Sequence, residues 1–422
     1  MNKFLTFILT ALFILNFSVH IASAEEILTW ADCVKEAAKN HPDLISASES
    51  VKQSEASKKI TRSALFPQID ASVDSSAARA SGKTTDTYSY GVSANQLLFD
   101  GLKTIENVKA ASENIKSAQY NYKFTSTEVR LKLRTAFINL LKSQELLQVA
   151  EEIVHIRRDS LILITLRYES GLEHKGALLT AEANAAEANF ELSRARRDVE
   201  LAQRQLTKEM GRFEFQPMSV KGDFDVSDSA REKPDFNALV KDNPLLLGAV
   251  FKKNAAAFGI RSAYADFSPQ VLGKAGADKT DSHWPPENDK WNVGLSVTMP
   301  IFEGGSRLAA VSKAQAAYNQ LQADERSTRD SLIVGLQETW ASLQDAIETV
   351  EVGRKSLEAA QVRSKIAEAQ YSTGFINFDN WIIIQNDLVN AKKTFLNVRA
   401  NALLAEANWI QAKGETLEYA QK

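Results

Sequence analysis

The chain has 422 residues, 44% hydrophobic and 24% charged, an ordinary folded composition that excludes a disordered polypeptide. A formal net charge of −3, with no long run of one sign, leaves no electrostatic footprint for nucleic acid. The single cysteine, Cys33, excludes an internal disulfide.

In chain order, residues 1–24 read first, as a signal peptide. Lys3 supplies the positive end, Phe4 to Phe17 is an apolar run, and Ala22-Ser23-Ala24 is a small-residue cleavage pattern. Cleavage after Ala24 starts the mature chain at Glu25. The apolar run is shorter than the ~20 residues of a spanning helix. No later stretch is apolar enough for one. Cys33 follows, nine residues beyond Ala24, as a small apolar residue on a helix face rather than a lipid acceptor.

Residues 25–214 read as a first structural repeat: helix, β-hairpin, long helix, helix. In the hairpin Ile69, Ala71, Val73 and Ala77 alternate with Asp70, Ser72, Asp74 and Ser76. Beyond a polar stretch, Tyr88, Tyr90, Val92 and Ala94 alternate with Ser89, Gly91, Ser93 and Asn95. A period of two with one apolar face predicts half-buried strands, and their length suits a tilted membrane strand. No proline interrupts 102–168, which predicts a helix ~100 Å long at 1.5 Å per residue. A second helix covers 177–210, a linker 215–232.

Residues 233–416 read as a second repeat, followed by a tail, 417–422. Its strands are Val271 to Ala277 and Trp291 to Met299, and its proline-free stretches are 306–371 and 381–412. Landmarks tie the halves together. Pro42 matches Pro244, and "FPQ" at 66–68 matches "SPQ" at 268–270, both at an offset of 202. Gly91 and Gly294, "LFDG" at 98–101 and "IFEG" at 301–304, Tyr168 and Tyr371, Gly171 and Gly374, and Gly211 and Gly414 all match at 203. One single-residue length change accounts for the whole alignment, so the chain is a duplication. Leu133, Leu140, Leu147, Val154, Leu161 and Tyr168 form a seven-residue seam, repeated as Leu336, Leu343, Val350, Leu357, Ser364 and Tyr371. The expected fold class is mostly α with a membrane β part: a long coiled-coil helical barrel plus four strands per chain. Four strands cannot close a barrel, and open edges are not tolerated in lipid, so copies of the chain must assemble.

The duplication, the "LLFDG" and "PIFEG" strand-to-helix junctions, and the "YESGL" and "YSTGF" turns resemble the TolC-like outer-membrane efflux proteins over about 30–414. The resemblance implies a homotrimer with a shared 12-stranded β-barrel in outer-membrane lipid and a periplasmic helical tunnel. It implies passive export in a tripartite efflux or type I secretion system, with a periplasmic adaptor and an inner-membrane pump of RND, ABC or MFS type. It places the adaptor-docking tips at Gly171, Leu172, Gly374 and Phe375. It places a periplasmic gate at Tyr371, with Phe378, Asp379 and Trp381 beside it. Some relatives have an aspartate six residues after the first tip glycine and an arginine two after the second; this chain has Ala177 and Ile376. Entrance aspartates are replaced by Asn380 and Ile383, although Asp379 is adjacent. Apolar packing of Phe375, Phe378 and Trp381 is the alternative closure; simple anchoring of the turn is the other reading.

No enzyme, cofactor or metal site is expected. The histidines at 20, 41, 155, 174 and 283 are scattered, without metal-ligand spacing. "SGKT" at 81–84 lacks the first glycine of a phosphate loop and reads as an extracellular turn. The rival reading is a soluble periplasmic coiled-coil adaptor or structural protein.

Overall fold

The computed structural model describes residues 26–226 and 233–418; the expected signal peptide, 1–24, part of the expected linker and most of the expected tail lie outside the described residues. After a short strand β1 (Glu26–Leu28), the first half gives α1 (Trp30–Asn40), α2 (Pro42–Ser63), β2 (Gln68–Ala80), β3 (Lys83–Phe99), α3 (Lys103–Glu169) and α4 (Lys175–Glu209). After β4 (Met218–Val220), the second half gives α5 (Phe236–Lys241), α6 (Pro244–Ala265), β5 (Gln270–Asp281), β6 (Asn288–Thr298), α7 (Ser306–Ser372) and α8 (Phe378–Ala412). Three pairs of corresponding helices have equal lengths: 22 residues in α2 and α6, 67 in α3 and α7, 35 in α4 and α8.

The proline landmarks are helix starts. Pro42 and Pro244 occupy first-turn positions, where a missing N–H costs nothing. The residue before each is the cap. His41 Nδ1 accepts from Asp43 N at 3.2 Å, and Asn243 Oδ1 accepts from Leu245 N at 3.0 Å.

Two compact units are formed, each built from three stretches of chain. One comprises the described parts of Glu36–Arg134, Val226–Glu351 and Asn401–Lys422. It holds one antiparallel four-stranded sheet, ordered β2-β3-β5-β6. The register puts Ala71, Val92, Ala277 and Trp291 in one cross-strand row, and Ile69, Ala94, Ala275 and Val293 in the next. Both rows lie on one face, as the period of two requires. That face is bare: Ile69, Val73, Trp291, Val293 and Leu295 are 66–80% exposed. The opposite face carries Asp70, Ser93, Gly276 and Asn292 in a row. Within the chain β2 and β6 each have one unpaired edge.

The helical core of this unit is Val240, Leu246, Leu336, Leu343 and Trp409. Phe236 meets Trp340 and Trp409 edge-on, at 6.3 and 6.4 Å between ring centroids. Beyond α8, Leu417 is fully buried and its N–H donates to Ser126 Oγ. The Glu418 carboxylate accepts from Ser126 Oγ at 2.9 Å and from Tyr122 OH at 3.2 Å. A tail beginning at 417 therefore starts inside packed chain.

The other unit comprises the described parts of Met1–Lys35, Thr135–Asp225 and Val352–Ala400. Strands β1 and β4 pair in parallel. The Gln144 amide brackets Val220, accepting from its N–H at 2.9 Å and donating to its carbonyl at 3.1 Å. Arg212 grips the Glu26 carboxylate at 2.8 Å. Cys33 is fully buried on α1, as its small apolar character predicts.

The seven-residue seam holds in α7, where Leu336, Leu343, Ser364 and Tyr371 are all buried. It fails in α3. Leu133 and Leu140 are buried there, but Tyr168 is 38% exposed. Burial moves instead to Ile153, Arg157, Ser160 and Ile164, spaced by fours and threes.

The two glycines inside α7 differ in surroundings. A Cβ on Gly335 would meet nothing within 4 Å, whereas one on Gly353 would lie 2.9 Å from Val398 Cγ2 and 3.4 Å from Phe395. Gly335→Ala is expected to stabilise by about 1 kcal/mol through helix propensity alone. In Gly353→Ala that gain is offset by overpacking of about 1–3 kcal/mol. Thermal unfolding followed by circular dichroism should show a raised midpoint for the first variant and an unchanged or lowered one for the second. Equal shifts would mean that the close approach at Gly353 is inconsequential.

Candidate functional site

The candidate site lies in the second unit, at the two turns joining α3 to α4 and α7 to α8. Both turns are built alike. Gly171 N–H donates to Tyr168 O, and Leu172 N–H to Arg167 O at 2.8 Å. Gly374 N–H donates to Tyr371 O, and Phe375 N–H to Gln370 O at 2.8 Å. This is the Schellman stop, which needs its first residue beyond the helix in the left-handed region. Gly171 and Gly374 have φ of +72° and +80°. The glycines are thus explained by helix termination, and the residues after them define the surface. Leu172 and Phe375 are 66% and 84% exposed.

The next helix starts differ. His174 Nδ1 accepts from Ala177 N at 3.1 Å and caps α4. Asn377 Oδ1 accepts from Asn380 N at 3.0 Å ahead of α8. Asp379 sits exposed in the first turn of α8, apart from the buried aromatics.

Three predicted gate residues come together. Tyr371 and Trp381 stack at 4.6 Å with an 8° interplanar angle, and Phe378 tilts against Trp381 at 6.2 Å. Ile164, Ala177, Ala181, Ala367 and Ile382 complete the buried cluster, and Ile376 packs against it. Phe375 does not join; its place at the end of the Schellman stop turns it to solvent. The apolar cluster expected around Phe375, Phe378 and Trp381 is thus formed by Tyr371, Phe378 and Trp381.

A polar group missed by sequence reasoning completes it. The Tyr371 hydroxyl donates to Glu173 Oε1 at 2.7 Å. Arg167 stands 3.7 Å from the same oxygen, with its guanidinium carbon 4.7 Å over the Tyr371 ring. Burial of the phenol, then its hydrogen bond to the Glu173 carboxylate and that carboxylate's charge, push Tyr371 far above its ordinary pKa; the Arg167 charge opposes this. Ala177 and Ile376, by contrast, pack with the apolar cluster. The usable signal was Glu173 itself, two residues after Gly171 in a turn whose partner carries Tyr371.

Among the described residues no group of three or more His, Cys, Asp or Glu side chains is arranged to hold a metal ion. No described helix is long and apolar enough to cross a membrane.

A family model described as outer membrane efflux protein matches residues 33–212 and again 237–415. The outer membrane efflux protein BepC of Brucella suis is 22% identical over 404 residues, spanning 93% of this chain and 86% of that protein. The outer membrane protein TolC of Escherichia coli is 24% identical over 389 residues, spanning 84% and 75%. The solved open state of the Neisseria gonorrhoeae MtrE outer membrane channel superposes with a TM-score of 0.80 at 16% identity, over 93% of this chain and 90% of that one.

Proposed function

The chain belongs to the outer membrane efflux protein family and is an outer-membrane efflux channel subunit; we propose that three copies form one passive exit duct, fed by a periplasmic adaptor and an inner-membrane pump of RND, ABC or MFS type. The carrying observation is the sheet β2-β3-β5-β6, with its bare apolar face and two unpaired edges. Apolar side chains exposed in such rows are stable in lipid, and lipid forbids open sheet edges. Three sheets supply twelve strands, above the eight of the smallest outer-membrane barrels.

In this reading 1–24 is a removed signal peptide, 25–214 and 233–416 are the duplicated halves, and 215–232 links them. Leu172 and Phe375, set by Gly171 and Gly374, dock the adaptor. Tyr371, Phe378 and Trp381, with Glu173 and Arg167, hold the periplasmic entrance, and Asp379 lies on its exposed rim. No residue performs bond chemistry, and energy comes from the pump. Type I secretion and small-molecule efflux use the same duct.

Purification from the outer-membrane fraction in detergent tests this. A complex of three mature chains that conducts ions in planar bilayers is expected. Recovery as a monomer in the detergent-free periplasmic fraction would favour the soluble coiled-coil reading instead.

A further inference from the structure

In the unit that carries the tips, but away from them, a cavity of about 450 Å³ opens between α3, α4 and α8. Its volume is that of a small-molecule site. Arg157 of α3 lines it and is only 7% exposed. Arg157 Nη2 donates to Asn386 Oδ1 at 2.5 Å, but its Nη1 has no acceptor among the described residues. Asn184 Nδ2, from α4 and lining the same cavity, is also buried without one. Both residues line the same cavity, and buried donors are otherwise paired, so an acceptor is called for there.

Charge sharpens the requirement. Burial pushes the Arg157 guanidinium below its ordinary pKa, and the charge of Glu187 only partly opposes this. The other acids of the cavity face its other bases. Glu191 faces Lys393 at 3.4 Å and Arg194 at 3.9 Å, and Asp198 faces Arg194 at 3.9 Å. A guanidinium is a planar fork that fits a carboxylate. Leu146, Ile153 and Val389 supply an apolar wall to the same cavity.

We propose that this cavity binds a small organic anion, a carboxylate with a short hydrocarbon chain, its head on Arg157 Nη1 and Asn184 Nδ2 and its chain along Leu146, Ile153 and Val389. The proposal does not depend on the channel reading. Its test is calorimetric titration of the full-length assembly with hexanoate, and with acetate as the head group alone. Saturable hexanoate binding is expected, with acetate at least about 10-fold weaker through loss of apolar burial. Arg157→Gln should weaken hexanoate about 10-fold or more through loss of a charge-assisted hydrogen bond, and Asn184→Ala about 3-fold through loss of a neutral one. Bilayer conductance should be unchanged in both variants. No hexanoate binding to the wild type, the result when ordered water or a neighbouring copy fills the cavity, overturns the proposal. So does equal binding of acetate, or hexanoate binding that Asn184→Ala leaves intact, which decides the matter even where Arg157→Gln does not assemble.

Discussion

Gly171→Trp combined with Gly374→Trp is expected to abolish export while leaving the assembly intact. A Cβ at either position would meet nothing within 4 Å. The fold therefore loses only the cost of a side chain in the left-handed region, about 1–2 kcal/mol at each site. The partner surface loses more. Leu172 and Phe375 are held outward by those two glycines, and an indole beside each blocks close approach of an adaptor. Gly414 is the internal control. It ends α8 with the same hydrogen bonds, but a Cβ there would lie 2.6 Å from Pro244 Cδ. Gly414→Trp should therefore lower the yield of assembled protein rather than impair docking. The measurement is accumulation of a fluorescent efflux dye in cells lacking the native chain, with native gels of the outer membrane alongside. Normal export by an assembled double variant would leave the tip glycines as helix stops and nothing more.

The scaffold was legible because its signals are local or periodic. Strand faces follow from alternation, and observed rows such as Ala71, Val92, Ala277 and Trp291 keep to it. Helix limits follow from prolines and glycines, since Pro42 and Pro244 sit at first-turn positions and Gly171 and Gly374 at Schellman stops. The period of seven does not separate the two seams: Tyr168 is exposed while its counterpart Tyr371 is buried, because the residues that pack on Tyr371 are distant in sequence. Nothing local marks Leu417 as buried, since its partner Ser126 is 291 residues away. The polar side of the tip was invisible for the same reason. Glu173 and Tyr371 are 198 residues apart. Only superposing the two turns brings a carboxylate to a tyrosine. Arg157, Asn184 and Asn386 come from three helices, so no spacing within one segment announces their cavity.

Tyr371→Ala is expected to produce a channel that conducts several-fold more at neutral pH than the wild type. Tyr371 is 1% exposed and stacks on Trp381, so truncation empties the centre of the tip cluster. Loss of a buried aromatic costs about 3–5 kcal/mol. It also leaves the Glu173 carboxylate, with a side chain only 10% exposed, without its hydroxyl donor. Tyr371→Phe separates the two contributions. The stack remains, while a hydrogen bond to a charged group, about 1.5–3 kcal/mol, is lost. An intermediate conductance is expected. The same bond sets a pH dependence. The pKa of Tyr371 is raised in the folded tip from an ordinary value of 10.0. Its contribution is therefore complete below pH 10 and declines as the pH rises beyond that value toward the folded pKa. Wild-type conductance should rise on that alkaline side, together with tyrosinate absorbance, and Tyr371→Phe should lack the step. Wild-type conductance in both variants would reduce the cluster to an anchor for the turn. Opening in Tyr371→Ala alone would assign closure to the aromatic stack and leave Glu173 and Arg167 to orient it.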